Sequence, residues 1–230
     1  FTTPQLTSLS VSQLTDLSAA QLAALSASQV GALTSTQLAS LSALQVAGFT
    51  ATQIGGLTST QLGALTASQF GQLSAVQMGG LTSAQVAALS LTQLGALTGT
   101  QLGQLSTAQV GGLTSAQLAA LTVSQLAGLS AAQVAALNST ALAASQVAAL
   151  TTAQLGGLST SQVAALTTTQ LGGLNAAQVA ALNSTALTAS QVAALSTAQL
   201  GGLSASQVAA LTTTQLGGLS AAQVAVLSIV

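Results

Sequence analysis

Asp16 is the only acidic residue in a chain of 230 that has no Lys, Arg, His or Cys. A general acid–base pair needs two tunable groups, and one carboxylate cannot supply both. Zinc and calcium sites draw on several His, Cys, Asp or Glu ligands, and nucleic acids are held by Lys and Arg against phosphate. No residue can be nominated as catalytic, cofactor-binding or metal-ligating. The expectation is a protein that is not an enzyme, has no cofactor and does not bind nucleic acid. What remains is neutral hydrogen-bonding chemistry, placed with great regularity. Gln recurs every eight residues from Gln5 to Gln133, from Gln146 to Gln178 and from Gln191 to Gln223, and Ser, Thr or Asn stands three residues before it in every case but Ala143.

That spacing is the capping box. The hydroxyl accepts from an early helix amide, and the Gln three residues on reaches back to the cap amide. Leu precedes the cap in every octad except those of Phe1 and Phe49, and the residue after Gln is always apolar: Leu, Val, Ile54, Phe70 or Met78. These two positions are those of a hydrophobic staple. The Phe residues and Met78 read as packing variants within the apolar columns. Pro4 falls in a first turn, where a missing amide hydrogen costs little. Gly pairs such as Gly156-Gly157 and Gly217-Gly218 fall where each helix must stop, and a left-handed backbone is expected there.

The elements that carry this text must be short. Eight residues of continuous α-helix rotate each octad by about 80° relative to the last, so one apolar stripe would wander. In a single strand the two apolar positions, five apart, would face opposite sides. Each octad therefore contains a turn. Two buried aliphatic side chains do not offset the entropy of ordering eight backbones, so octads must stack on one another as in a solenoid. The fold expected is an all-α solenoid of very short capped helices, one per octad, with about two octads per coil, because Gln-Val-Ala-Ala and Gln-Leu-Gly-Gly octads alternate with a period of sixteen. One coil face would then carry Ala and the other Gly. The alternative is a β-solenoid of sixteen residues per coil with stacked polar ladders, which the abundance of Ala, Leu and Gln disfavours.

One array spans 1–230: uniform octads over 1–136, an insertion at 137–141, octads over 142–181, a second insertion at 182–186, and octads over 187–230. The insertions read Leu137-Asn138-Ser139-Thr140-Ala141 and Leu182-Asn183-Ser184-Thr185-Ala186. Residues 133–177 and 178–222 differ at only four of 45 positions, which marks a tandem duplication. Asn138 and Asn183 fit the N-glycosylation acceptor pattern; the simpler reading of both insertions is a turn that resets coil phase. Asp16 is expected to face solvent without a role. No apolar run reaches the roughly 18 residues of a membrane span.

The octads, for example Leu195-Ser196-Thr197-Ala198-Gln199-Leu200-Gly201-Gly202-Leu203, resemble the Leu-Thr-x-x-Gln-Val-x-x-Leu arrays of very large repetitive bacterial secreted and cell-surface proteins, adhesin-like or filament-forming. The resemblance implies a secreted or cell-surface structural protein and carries over no catalytic residue. With array phase kept at both ends and no polar capping repeat, self-association, head-to-tail or lateral, is the expected partnership, with attachment to a cell surface. A second reading is a binding module whose Ser/Thr columns meet ice, glycan or another repetitive surface; hydroxyls already bonded to helix amides would remove it. A DNA-reading helical repeat, suggested by Leu-Thr-x-x-Gln, fails for want of basic residues.

Overall fold

The computed structural model describes residues 1–227; Ser228, Ile229 and Val230, the last of the octad array, lie outside the described residues. The described residues form 27 short α-helices and two 3-10 turns, with no strand among them. Helices of four to seven residues occur once per octad, as Ala51–Gly55, Ser59–Ala64 and Gly99–Leu102 illustrate. The β-solenoid alternative is thereby set aside.

Each octad folds for the same local reason. The cap residue is extended (Thr34, φ −71°, ψ 158°), and its side chain accepts from Gln37 N. One helical turn follows. The next first-position Leu is extended again (Leu41, φ −63°, ψ 146°), its amide closing back onto the Leu38 carbonyl. Two consecutive extended residues make the turn here, as they do at Leu65-Thr66 and Leu121-Thr122. The left-handed glycine expected at the helix ends does not exist: no described residue has positive φ, and the second Gly of a pair is right-handed, as at Gly157 (φ −79°, ψ −12°). Pro4 lies in the first turn of Thr3–Thr7 as expected.

The chain groups into two compact units, residues 1–128 and 129–230. Within each, a helix packs on the one three units further along: Ser35–Ser40 on Ser59–Ala64, and Ala144–Ala148 on Thr168–Gly172. Three units make a coil, where the sixteen-residue alternation had suggested two. That alternation is out of step with a three-unit coil, so it cannot give an Ala face and a Gly face. In the second unit it makes two of the three columns of stacked helices alternate instead, the third holding the insertions. In the second unit, Thr152–Gly156 and Thr197–Leu200, which lead into Gly157 and Gly202, interleave with Ala131–Ala136 and Ala176–Ala181. A Cβ built on Gly157 would meet the Ala131 Cβ at 3.0 Å, and one on Gly202 would meet the Ala176 Cβ at 2.7 Å. Glycine is required by the approach of the neighbouring coil, with no demand on backbone angle.

The two apolar columns line the core. Leu38, Val46, Ile54, Phe70 and Met78 are at most 1 % exposed in the first unit, and Val147, Leu155 and Val179 in the second. Phe49 is buried with them, but Phe1 is 64 % exposed and does not pack in the core. Asp16 is exposed at the C-terminal cap of Val11–Thr15.

Each insertion proves to be a miniature unit of the coil. Asn138 Oδ1 accepts from Thr140 Oγ1 at 2.7 Å and starts the 3-10 turn Ser139–Ala141; Asn183 does the same for Ser184–Ala186. These turns stand in one column with the helix Thr160–Ala165 between them. A five-residue unit replaces one of eight, so the coil shortens by three residues without losing its triangular plan. The duplicated 45-residue block is five octads and one insertion: six units, or two whole coils.

Candidate functional site: the glutamine ladder

The recurrent polar chemistry of the chain is concentrated in Gln, and the fold uses both ends of its amide. On one end, Oε1 accepts from the backbone amide of its own cap residue, at 2.6 Å for Thr66 and 3.1 Å for Ser90. On the other, Nε2 reaches the previous coil. Gln53 Nε2 donates to the carbonyls of Leu22 (3.0 Å), Ala23 (3.3 Å) and Leu25 (2.7 Å). Gln85 repeats this on Ile54, Gly55 and Leu57, and Gln117 on Val86, Ala87 and Leu89. Those carbonyls lie at the end of a helix, where the last C=O groups lack intrahelical partners. The ladder thus satisfies a helix N-terminus in one coil and a helix C-terminus in the coil before it.

Burial follows from this double use. Gln53 is 1 % exposed and Gln69 2 %, and no buried side-chain polar atom among the described residues lacks a partner. In the first unit the rung spans 28 to 31 residues, as from Gln69 to Leu41 and Leu38. Where an insertion lies in the coil it spans 25 to 28, as from Gln191 to Leu166 and Val163. Rungs also land on the insertions themselves: Gln170 donates to Ser139 and Leu142, and Gln215 to Ser184 and Leu187.

Capping alone had accounted for the Gln spacing; the coil-to-coil rung is the role that sequence reasoning missed. A signal for it was present. A capping box takes Glu as readily as Gln, yet Glu occurs in none of the 27 octads. A carboxylate would turn an acceptor oxygen toward the carbonyls that Nε2 serves.

The Ser/Thr columns are committed to the backbone. Thr58 Oγ1 accepts from Gln61 N and Ser106 Oγ from Gln109 N, both at 3.2 Å, and the same contact recurs throughout. Ala143 has no side chain to offer, and only the Gln146 half of its box is formed. The hydroxyl array needed for the surface-binding reading is therefore taken up as helix caps. No helix among the described residues is long and apolar enough to cross a membrane.

With the octad geometry in place, the comparison with known families is direct. Residues 91–123, 140–168, 147–189 and 185–213 match the ALTTAQ repeat. The chain carries that text letter for letter at Ala149-Leu150-Thr151-Thr152-Ala153-Gln154. In structural terms the ALTTAQ text runs from the end of one helix, through its two extended residues, to the Gln that caps the next helix. No curated protein matches the chain.

Proposed function

We propose that the chain is a structural protein: a repeat solenoid that builds an extracellular filament, surface fibre or stalk by stacking and self-association, without catalytic activity. The observation that carries this reading is the glutamine ladder. Each coil presents helix-end carbonyls on one side and Gln amides on the other, so coil binds coil by one repeated rule and length is added without new chemistry. The duplication of two whole coils supports the same reading, since it lengthens the array in register. A chain with one acidic residue and no basic one also has little charge to keep copies apart. The repetitive surface proteins that the octads resemble point to a secreted or cell-surface location.

Electron microscopy of undenatured material from the native source tests this. Uniform fibres with an axial repeat set by stacked coils are the expected result. Discrete, non-associating particles of monomer size would overturn it, and fractionation that leaves the protein inside cells would overturn the location.

A further inference from the structure

Each five-residue insertion sets an unused amide on the surface of the coil. The chain contains three Asn residues, Asn138, Asn175 and Asn183. Asn138 and Asn183 are exposed, and the 3-10 turns that they start use only the side-chain oxygen. Asn138 Oδ1 accepts from Thr140 N at 3.3 Å and Thr140 Oγ1 at 2.7 Å. Asn183 Oδ1 accepts from Thr185 N at 3.2 Å and Thr185 Oγ1 at 2.7 Å. The Nδ2 groups of both donate to no acceptor among the described residues. The inner side of each turn is anchored by buried Ser139 or Ser184 and by a rung, from Gln170 to Ser139 O and Leu142 O and from Gln215 to Ser184 O and Leu187 O. Asn and Thr are left exposed on either side of the buried Ser. Asn175 differs: Ala177 stands two residues after it, and its Oδ1 caps Gln178 N at 2.9 Å.

We infer that Asn138 and Asn183 are attachment sites for N-linked sugar. In each, a transferase joins Nδ2 to the anomeric carbon of a sugar activated as a diphosphate ester. A C–N bond forms at that carbon, its C–O bond to the diphosphate breaks, the diphosphate departs with the electron pair, and Nδ2 gives up one proton. Asn-x-Thr is the acceptor pattern for this chemistry, and the fold presents it twice with the hydroxyl against the amide and the nitrogen unused. The assignment rests on the secreted or cell-surface location proposed above. Both sites belong to one column of the second unit, with the helix Thr160–Ala165 between them. A bulky, solubilising group there supplies the repulsion that a chain with one charged side chain lacks.

Mass spectrometry of elastase peptides from protein isolated from its native source tests it. Peptides that contain Asn138 or Asn183 should carry added hexose or hexosamine mass, placed on the Asn by fragmentation, and Asn175 should be bare. Asn138→Asp keeps the oxygen that starts the turn and lacks the nitrogen, as does Asn183→Asp. Expressed in the same source, each should remove the sugar from its own site, and the double variant should lose all added mass on Asn. Thr140→Ala should abolish modification at Asn138 alone, and Thr140→Ser should retain it; circular dichroism checks that every variant stays helical. Bare Asn138 and Asn183 in protein recovered outside cells would overturn the assignment and leave the structural reading standing. Sugar confined to Ser and Thr hydroxyls, or Asn175 modified as fully as the other two, would overturn it as well. Protein retained inside cells with both Asn residues bare would remove the location and the sites together.

Discussion

At the residue scale, Gln is chosen over Glu because each side chain must accept at one end and donate at the other. Gln85 is buried, accepts from Thr82 N at 2.7 Å and donates to Leu57 O at 2.7 Å. Gln85→Glu keeps the first bond and leaves a buried carboxylate against carbonyl oxygens, so it should destabilise the fold by about 3 kcal/mol at neutral pH, read by thermal or urea unfolding. Burial and those oxygens raise the folded-state pKa of the new carboxyl above its unfolded value. Its protonated form is therefore favoured in the fold, and the lost stability should return as pH falls toward the unfolded carboxyl value and vanish again as pH rises. The cap column gives the opposite sign. Ala143 is the one cap residue without an acceptor, and Thr188, its counterpart in the second block, accepts from Gln191 N at 3.2 Å. Ala143→Thr should stabilise by about 1 kcal/mol in the same assay.

At the scale of the helix, adjacent glycines separate packing from propensity. Gly79, inside Ala75–Gly79, has open space where a Cβ would go, whereas a Cβ on Gly80 would lie 2.8–2.9 Å from the Ala51 backbone carbon atoms. Gly79→Ala should be neutral to stabilising by up to about 1 kcal/mol, because Ala is the better helix former and restricts the unfolded chain. Gly80→Ala should cost roughly 1–3 kcal/mol, because backbone must shift to admit the methyl group. Equal effects from the two would remove close approach as the reason for glycine at position 80. The same close approach holds in the second unit, where a Cβ on Gly157 would meet the Ala131 Cβ at 3.0 Å and one on Gly202 the Ala176 Cβ at 2.7 Å.

At the scale of the whole molecule, a three-unit coil and a two-octad alternation come back into step only after six units. The duplicated block, residues 133–177, is six units long. Its removal takes out two whole coils, returns every column to its register, and should leave the melting temperature within a few degrees. Removing the single octad 150–157 deletes far fewer residues, yet it sets Ala-ended helices over one another and moves the 3-10 turns off their shared column. That deletion should lower the melting temperature more than the larger one, as differential scanning calorimetry of the two variants would read. Repeat arrays are held by nearest-neighbour interfaces, so the number of mismatched neighbours sets the loss, and the number of residues removed matters less.

Local structure was legible in the sequence because its causes lie within eight residues. The cap at Ser106, the Gln109 that answers it, the Pro4 start and the apolar pair that faces inward are all contacts over three or five positions. The coil was not legible. The alternation between Gln-Val-Ala-Ala and Gln-Leu-Gly-Gly suggested two octads, but the number per coil depends on the angle between successive helices, which is set by two extended residues and by what packs inside. Only the tertiary structure shows Gln53 reaching back to Leu25, or Gly80 lying against Ala51, since both partners are separated by more than a full coil and no local pattern records their distance. The octad text determined the helix and its caps; stacking decided how many helices close a turn, why Gln never becomes Glu, and why glycine stands where it does.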